Sequence, residues 1–87
     1  MPDSVVLDSC IIAAIFFPEG ITERAIEIAE SHDCITVDLA YAEVANVAWK
    51  RVFHSGQDQG TVRSGLADSQ AFIRETCHVM SARDLIP

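Results

Sequence analysis

Two short apolar segments, residues 5–7 and residues 34–37, are each followed at once by an aspartate and then by a helical pattern. Apolar runs of this length, bounded by polar residues, indicate buried β-strands. The stretch between them is long enough for the helical crossover that joins parallel strands. This arrangement favours an α/β fold in which a small parallel sheet is flanked by helices.

The first half of the chain predicts a fully buried first strand and then a helix over residues 10–17. That helix is apolar on all sides, which is typical of a helix that is covered on all sides. A second helix is expected to begin at Thr22 as its cap and to end near Ser31. Ile21 and Ile26 have the spacing of a hydrophobic staple at its start.

The second half predicts a third helix over residues 39–54, with Asp38 as its cap. This segment is rich in Ala and free of Gly and Pro, which favours a helix. A fourth helix over residues 61–75 is expected to be weaker because it contains Gly65. A third short strand over residues 77–80 completes the order β-α-α-β-α-α-β.

Composition limits the chain to one small domain of 87 residues. Small domains bury a smaller fraction of their surface than large ones. The 49% of apolar residues therefore predicts a partner, a self-association surface or missing chain. The first helix, two adjacent apolar rows of the third helix and the free edge of the first strand are the expected contact surfaces. A net charge of −7 argues against a standing basic face for nucleic acid, but bound cations can reverse the sign of an acidic pocket.

The cysteines and the apolar runs bear on cellular location. The chain has three cysteines, an odd number, and none of them forms a C-x-x-C pair: Cys10, Cys34 and Cys77. This pattern argues against a structural zinc site. They are expected to be buried and reduced, as in a cytoplasmic protein. The N-terminus lacks the basic region of a signal peptide. The longest apolar run, residues 10–17, is too short to cross a bilayer, so a cytoplasmic protein without membrane contact is expected.

Asp8 and Glu43 are the candidate catalytic and metal-binding residues. Asp8 ends the first strand, Glu43 lies in the first turns of the helix after the second strand, and strand ends line the ligand crevice of open α/β sheets. Hard cations such as Mg²⁺ prefer carboxylate oxygens, water and substrate phosphate. Asn46, one turn from Glu43, could orient it or a metal-bound water. Ser9 could contact a phosphate or cap the first helix.

Each of these residues also has a simpler interpretation. Asp8 has the position of a helix N-cap, and a single Glu on a helix is ordinarily solvated. Trp49 and Phe53 are expected in the core rather than as a stacking platform for bases. Cys10 has no evident base partner for nucleophilic catalysis. The three histidines lack metal-ligand spacing and are interpreted as surface or helix-end residues: His32, His54 and His78.

Taken together, V-V-L-D-S, the short apolar helix, I-T-V-D-L-A-Y-A-E-V-A-N-V-A-W-K and A-R-D-L-I-P resemble the PIN domain. The most similar subgroup is the VapC-type toxins of toxin–antitoxin pairs. The resemblance implies a metal-dependent ribonuclease in which Asp8 is the first catalytic acid, Glu43 is the second and Asn46 is a polar neighbour. It also implies a single PIN-like domain lacking the C-terminal third, which carries the later acids. Asp84 is interpreted as a cap for the absent helix.

The function implied for the full-length form is that of a Mg²⁺- or Mn²⁺-dependent endoribonuclease, with RNA as substrate and an antitoxin as protein partner. The alternative is a catalytically inactive fragment, or an interaction module that binds an antitoxin or self-associates. A homodimer is expected from the apolar excess, with an antitoxin helix near the first two helices as the other occupant. The 87 residues alone are expected to bind metal weakly or not at all.

Overall fold

The computed structural model of the chain describes residues 3–17, residue 20 and residues 22–85. In chain order, the elements are β1 (Ser4–Val6), α1 (Ser9–Phe16), α2 (Thr22–Ser31), β2 (Asp33–Val37), α3 (Ala40–Phe53), α4 (Gln59–Glu75), β3 (His78–Met80) and α5 (Ala82–Leu85). The strands form one parallel sheet in the order β1-β2-β3. The predicted α/β fold with a small parallel sheet is therefore confirmed, and α5 extends the predicted order.

The sheet has one covered face and one open face. α1, α3 and α4 pack against one another, and alternate strand residues join their core: Val5, Cys34, Thr36 and Val79. The intervening residues lie on the opposite face, where Val6 is 71% and Met80 37% exposed. The prediction of a fully buried first strand is therefore wrong, because the packed helices cover only the face of the sheet on which Val5 lies.

The apolar helix α1 lies at the centre of the helical layer, packed against α2, α3 and α4. Ile12, Ala13 and Ala14 are buried, whereas Cys10 is exposed. Most of this helix is therefore covered, as its composition indicated, and it is not the exposed contact surface expected from the apolar excess. Within the described ranges, no helix is both long and apolar enough to cross a membrane.

Helix α2 is attached to α1 at its first residue, because the Thr22 hydroxyl donates to the Ala14 carbonyl over 2.7 Å. Thr22 was predicted as the cap of this helix, whereas it is the first residue inside the helix. Ala25 on the inner face is buried, and Ile28 on the same face joins the edge of the core. Ile21, which belongs to the predicted staple, lies outside the described residues.

Gly65 allows α4 to approach the end of α1. A Cβ atom at this position would lie 2.9 Å from the Phe17 ring and 3.0 Å from the Phe16 carbonyl oxygen. Phe17 is only 3% exposed, so its ring has little room to move. The glycine that was expected to weaken this helix is thus required for its packing. The helix begins two residues earlier than predicted, because the Asp58 carboxylate accepts from the Thr61 N–H over 2.9 Å and caps it.

Cys34 and Cys77 are neighbours on the covered face of the sheet. The register pairs Ile35 with His78, and each cysteine precedes its paired residue. Burial raises the pKa of the Cys77 thiol to about 11, with a further contribution from Cys34. Burial, and secondarily the Asp33 carboxylate, also raises the pKa of Cys34. Both are free thiols as expected, but the exposure of Cys10 contradicts the expectation that all three are buried.

Replacement of Gly65 by Ala is expected to destabilise the protein by about 1–2 kcal/mol, because the overpacking exceeds the helix-propensity gain. Urea unfolding followed by circular dichroism measures the effect. Ser64→Ala is the matched control, since Ser64 is the exposed neighbour in the same helix. A Gly65→Ala variant as stable as the wild type would show that the approach of α4 to Phe17 is looser than described.

Maleimide at pH 7.5 is expected to label the native protein once, at Cys10. Cys34 and Cys77 are buried and therefore shielded from the reagent, and the burial that raises their pKa values also lowers the fraction of reactive thiolate. Intact-mass measurement should show one adduct in buffer and three in urea, and none in buffer for Cys10→Ser. Rapid double labelling of the native protein would contradict the described burial of Cys34 and Cys77.

Candidate functional site

Hydrogen bonds hold the carboxyl ends of the three strands together. The Leu7 N–H donates to the Ile35 carbonyl over 2.7 Å, and the Asp38 N–H donates to the Met80 carbonyl over 3.0 Å. Both bonds continue the strand pairing by one residue. The buried Thr36 hydroxyl donates to the Leu7 carbonyl over 2.8 Å. The residues that follow each strand are therefore aligned along one side of the sheet, called here the carboxyl edge.

Asp8 follows β1 at the carboxyl edge and caps α1. Its backbone is extended (φ −82°, ψ 171°), and its Oδ1 atom accepts from the Ile11 N–H over 3.0 Å. The simpler interpretation of Asp8 as an N-cap is therefore confirmed. The carboxylate is exposed, and Ser9 beside it is the half-exposed first residue of the helix. The cap fixes where this carboxylate stands relative to the strand end.

Glu43 lies near the carboxyl edge, in the helix that follows the neighbouring strand β2. It is exposed, lies in the first turn of α3, and donates its N–H to the Leu39 carbonyl over 3.0 Å. Asn46, one turn later, is also exposed. Because α1 and α3 pack together and leave adjacent strands, Asp8 and Glu43 both lie at helix starts on one edge. The convergence of their carboxylates on a single crevice stays a prediction.

Asp38 is an edge residue that the sequence interpretation assigned to the wrong helix. The residue at the N-cap of α3 is Leu39, which makes no side-chain capping bond. The Asp38 Oδ1 atom instead accepts from the Ala82 N–H over 3.1 Å and so caps α5. Asp84, expected to cap an absent helix, lies inside α5. The partner of Asp38 is 44 residues away in sequence, which a local capping pattern cannot reveal.

The donor chemistry of the edge suits a hard cation. Asp8 and Glu43 offer exposed carboxylate oxygens, and Mg²⁺ is commonly held by one or two carboxylates together with water and substrate phosphate. Among the described residues, no group of three or more acidic, His or Cys side chains is arranged to hold a metal ion. The two carboxylates have the chemistry of metal ligands, and their binding of a cation stays a prediction.

The three histidines lie at helix ends or at the surface, as interpreted from the sequence, and away from this edge. The His32 ring hydrogen-bonds the Ile28 carbonyl over 2.9 Å beyond the end of α2, and His54 follows the last turn of α3. His78 is exposed on β3. A cavity of about 540 Å³ lies at the amino ends of the strands, lined in part by Asp33 and His78. It contains none of the predicted catalytic residues.

Trp49 and Phe53 are exposed, which corrects their assignment to the core. Trp49 is 52% and Phe53 67% exposed, and their ring centroids are 5.0 Å apart. The inner row of α3 is instead represented by Val44 and Ala48, both buried. Two adjacent apolar rows of one helix look alike in a sequence, and only the position of the neighbouring elements decides which row is covered.

No protein-family model matches this chain, and no curated protein shows significant similarity to it. The resemblance to the PIN domain therefore stays a hypothesis that depends on the quoted residues and on the placement of Asp8 and Glu43.

Proposed function

We propose that the full-length form of this protein is a metal-dependent endoribonuclease of the PIN domain family, acting in the cytoplasm as a VapC-type toxin. The observation that supports the proposal is the delivery of Asp8 and Glu43 to one sheet edge by two packed helices. Strand carboxyl ends are the usual ligand-binding side of parallel sheets. The proposed partners are RNA as the substrate and an antitoxin as the inhibitor.

In this proposal, Asp8 and Glu43 hold Mg²⁺ or Mn²⁺ through their carboxylates. A bound cation supplies charge neutralisation at a phosphodiester and lowers the pKa of a bound water. The cap on Ile11 N–H keeps the Asp8 carboxylate at the strand end, while Asn46 orients Glu43 or a water molecule. Ser9 contacts a phosphate oxygen at the start of α1, where the helix favours anions.

The second candidate is a non-catalytic interaction module that binds an antitoxin or self-associates. The exposure of Trp49 and Phe53 favours it, because large aromatic side chains in contact with water commonly mark interaction surfaces. An apolar groove of about 240 Å³ lies next to Trp49 between α3 and α4. An antitoxin helix beside the first two helices stays a prediction.

Asp8→Asn is expected to abolish RNA cleavage by the full-length protein, because it removes a ligand charge. Asn is as good an N-cap as Asp, so α1 is retained. Cleavage of an RNA substrate in Mg²⁺ or Mn²⁺ buffer measures the effect. Asp33→Asn is the matched control, since Asp33 is an exposed aspartate at the opposite end of β2. Cleavage that persists in Asp8→Asn or in excess chelator would contradict the proposal.

The 87-residue chain itself is expected to bind Mn²⁺ weakly or not at all, because its described residues offer only a partial ligand set. Titration calorimetry measures the binding, with Asp8→Asn and Asp33→Asn titrated in parallel. Any small heat of Mn²⁺ binding should disappear in Asp8→Asn and persist in Asp33→Asn. Tight binding by the wild-type chain would show that the described part of the molecule already contains a complete site.

A further inference from the structure

Two buried cysteines lie side by side where the central strand of the sheet meets an edge strand. The register pairs Ile35 of β2 with His78 of β3. Cys34 and Cys77 directly precede these residues and are the next neighbours across the two strands. Both belong to the buried core, with Cys34 at 5% and Cys77 at 9% exposed. Besides burial, Cys34 contributes to the raised pKa of Cys77, which is consistent with two thiols close together.

The spacing of neighbouring strands brings these two cysteines within reach of a disulfide. Paired strands lie about 4.8 Å apart, and the Cα atoms of disulfide-bonded cysteines are separated by about 4.4–6.8 Å. The Cβ atoms of a disulfide are closer, at about 3.8 Å, so the two strands would have to draw together slightly. A bond formed under such strain is more easily reduced than a structural disulfide. The pair therefore suits a reversible bond.

A cavity at the amino ends of the strands gives access to this pair. Its volume is about 540 Å³, and the residues that line it include Cys34 and Thr76, the residue before Cys77. The Cys34 thiol donates only weak hydrogen bonds, to the Ala29 carbonyl over 3.6 Å and to the His32 carbonyl over 3.7 Å. Loss of these bonds would cost little free energy. A small oxidant in the cavity would therefore meet Cys34 first.

We propose that Cys34 and Cys77 are a redox-active pair that forms a reversible disulfide between β2 and β3 when the protein meets a peroxide. In the first step, the Cys34 sulfur attacks hydrogen peroxide, the O–O bond breaks, and a sulfenic acid forms with release of one water molecule. In the second step, the Cys77 sulfur attacks the sulfenic sulfur. The S–O bond breaks, and the oxygen leaves as a second water molecule that carries the Cys77 thiol proton. The two thiols lose two electrons, and the peroxide gains them.

The two steps differ in rate. Burial raises the pKa of both thiols, and the thiolate is the reactive form, so the attack on peroxide is slow. The second step joins two groups that are already held next to each other, which accelerates it. The disulfide is therefore expected to form without accumulation of the sulfenic acid. A brief exposure to peroxide leaves the pair reduced, and a sustained exposure oxidises it.

The disulfide would fasten an edge strand to the centre of the sheet. β3 is paired with β2 on one side only, and it leads into α5, which Asp38 caps. The bond also closes a long loop that contains α3 and α4, and such a closure restricts the unfolded chain. Oxidation should therefore make the protein more resistant to unfolding. This effect is independent of the carboxylates that are proposed as metal ligands.

The test begins with peroxide treatment of the folded Cys10→Ser variant, in which the exposed thiol is absent. Remaining thiols are then blocked with maleimide in urea, and the protein is digested with trypsin without reductant. Cys77→Ala in the same background is the control, because it keeps Cys34 and the cavity but removes the second thiol. Circular dichroism verifies that both variants are folded before oxidation.

The tryptic peptides identify the bond. Cleavage after Lys and Arg places Cys34 in the peptide 25–50 and Cys77 in the peptide 75–83. Mass spectrometry should show these two peptides joined, at the sum of their masses less two hydrogen atoms. Met80 lies in the second peptide, so the joined species is expected with and without one added oxygen. The control should show no joined peptides.

Reversibility is measured by equilibrating the oxidised variant in glutathione buffers that differ in their ratio of reduced to oxidised glutathione. Excess reduced glutathione should open the strained bond, which regenerates both thiols while two glutathione molecules become one glutathione disulfide. Urea unfolding followed by circular dichroism should give a higher midpoint for the oxidised variant than for the reduced one.

Three results would overturn the proposal. The first is that the two peptides stay separate after prolonged oxidation of the folded protein, even if they join in urea. The second is a bond that resists excess reduced glutathione, because it would be structural rather than reversible. The third is an oxidised protein that unfolds at the same urea concentration as the reduced one or at a lower one. None of these outcomes depends on metal or nuclease activity, so the redox pair and the proposed function fail separately.

Discussion

The arrangement of this molecule depends on the close approach of α4 to the end of α1 at Gly65. Helix α1 is the element around which α2, α3 and α4 are packed, and α4 also contacts β3. A side chain at Gly65 would push α4 away from the buried Phe17 ring and the Phe16 backbone. Because α4 contacts β3, the position of β3 and of the carboxyl edge depends on the absence of a side chain at Gly65.

Local patterns in the sequence predicted the helices and strands. Contacts between residues distant in sequence decided which side of each helix or strand is covered. The third helix was predicted over residues 39–54 and is found as Ala40–Phe53, because its composition and periodicity are local properties. The covered side of each element was less predictable. Val6, Trp49 and Phe53 are apolar residues whose exposure depends on elements far away in the chain. The steric role of Gly65 depends equally on the distant α1.

The features of the candidate site also divide into those that general rules predicted and those that depend on contacts between residues distant in sequence. The general behaviour of parallel sheets predicted that Asp8 and Glu43 would reach one edge, since both follow strands that pair side by side. The N-cap and metal-ligand interpretations of Asp8 are compatible, because a carboxylate fixed by the Ile11 N–H pays less ordering entropy when it binds a cation. Asp38 was assigned to the nearest helix, whereas its partner Ala82 comes from the far end of the chain.

The strand order β1-β2-β3 also determines how firmly the sheet is held from one strand to the next. β2 has a neighbour on both sides, whereas β1 and β3 are edge strands of three residues each. Short edge strands discourage pairing with other chains but are held by few bonds of their own. Local opening should therefore start at β1 and β3, with amide protection from solvent exchange centred on β2. Asp8 follows one of these edge strands, so the candidate site adjoins a part of the sheet that is expected to open first.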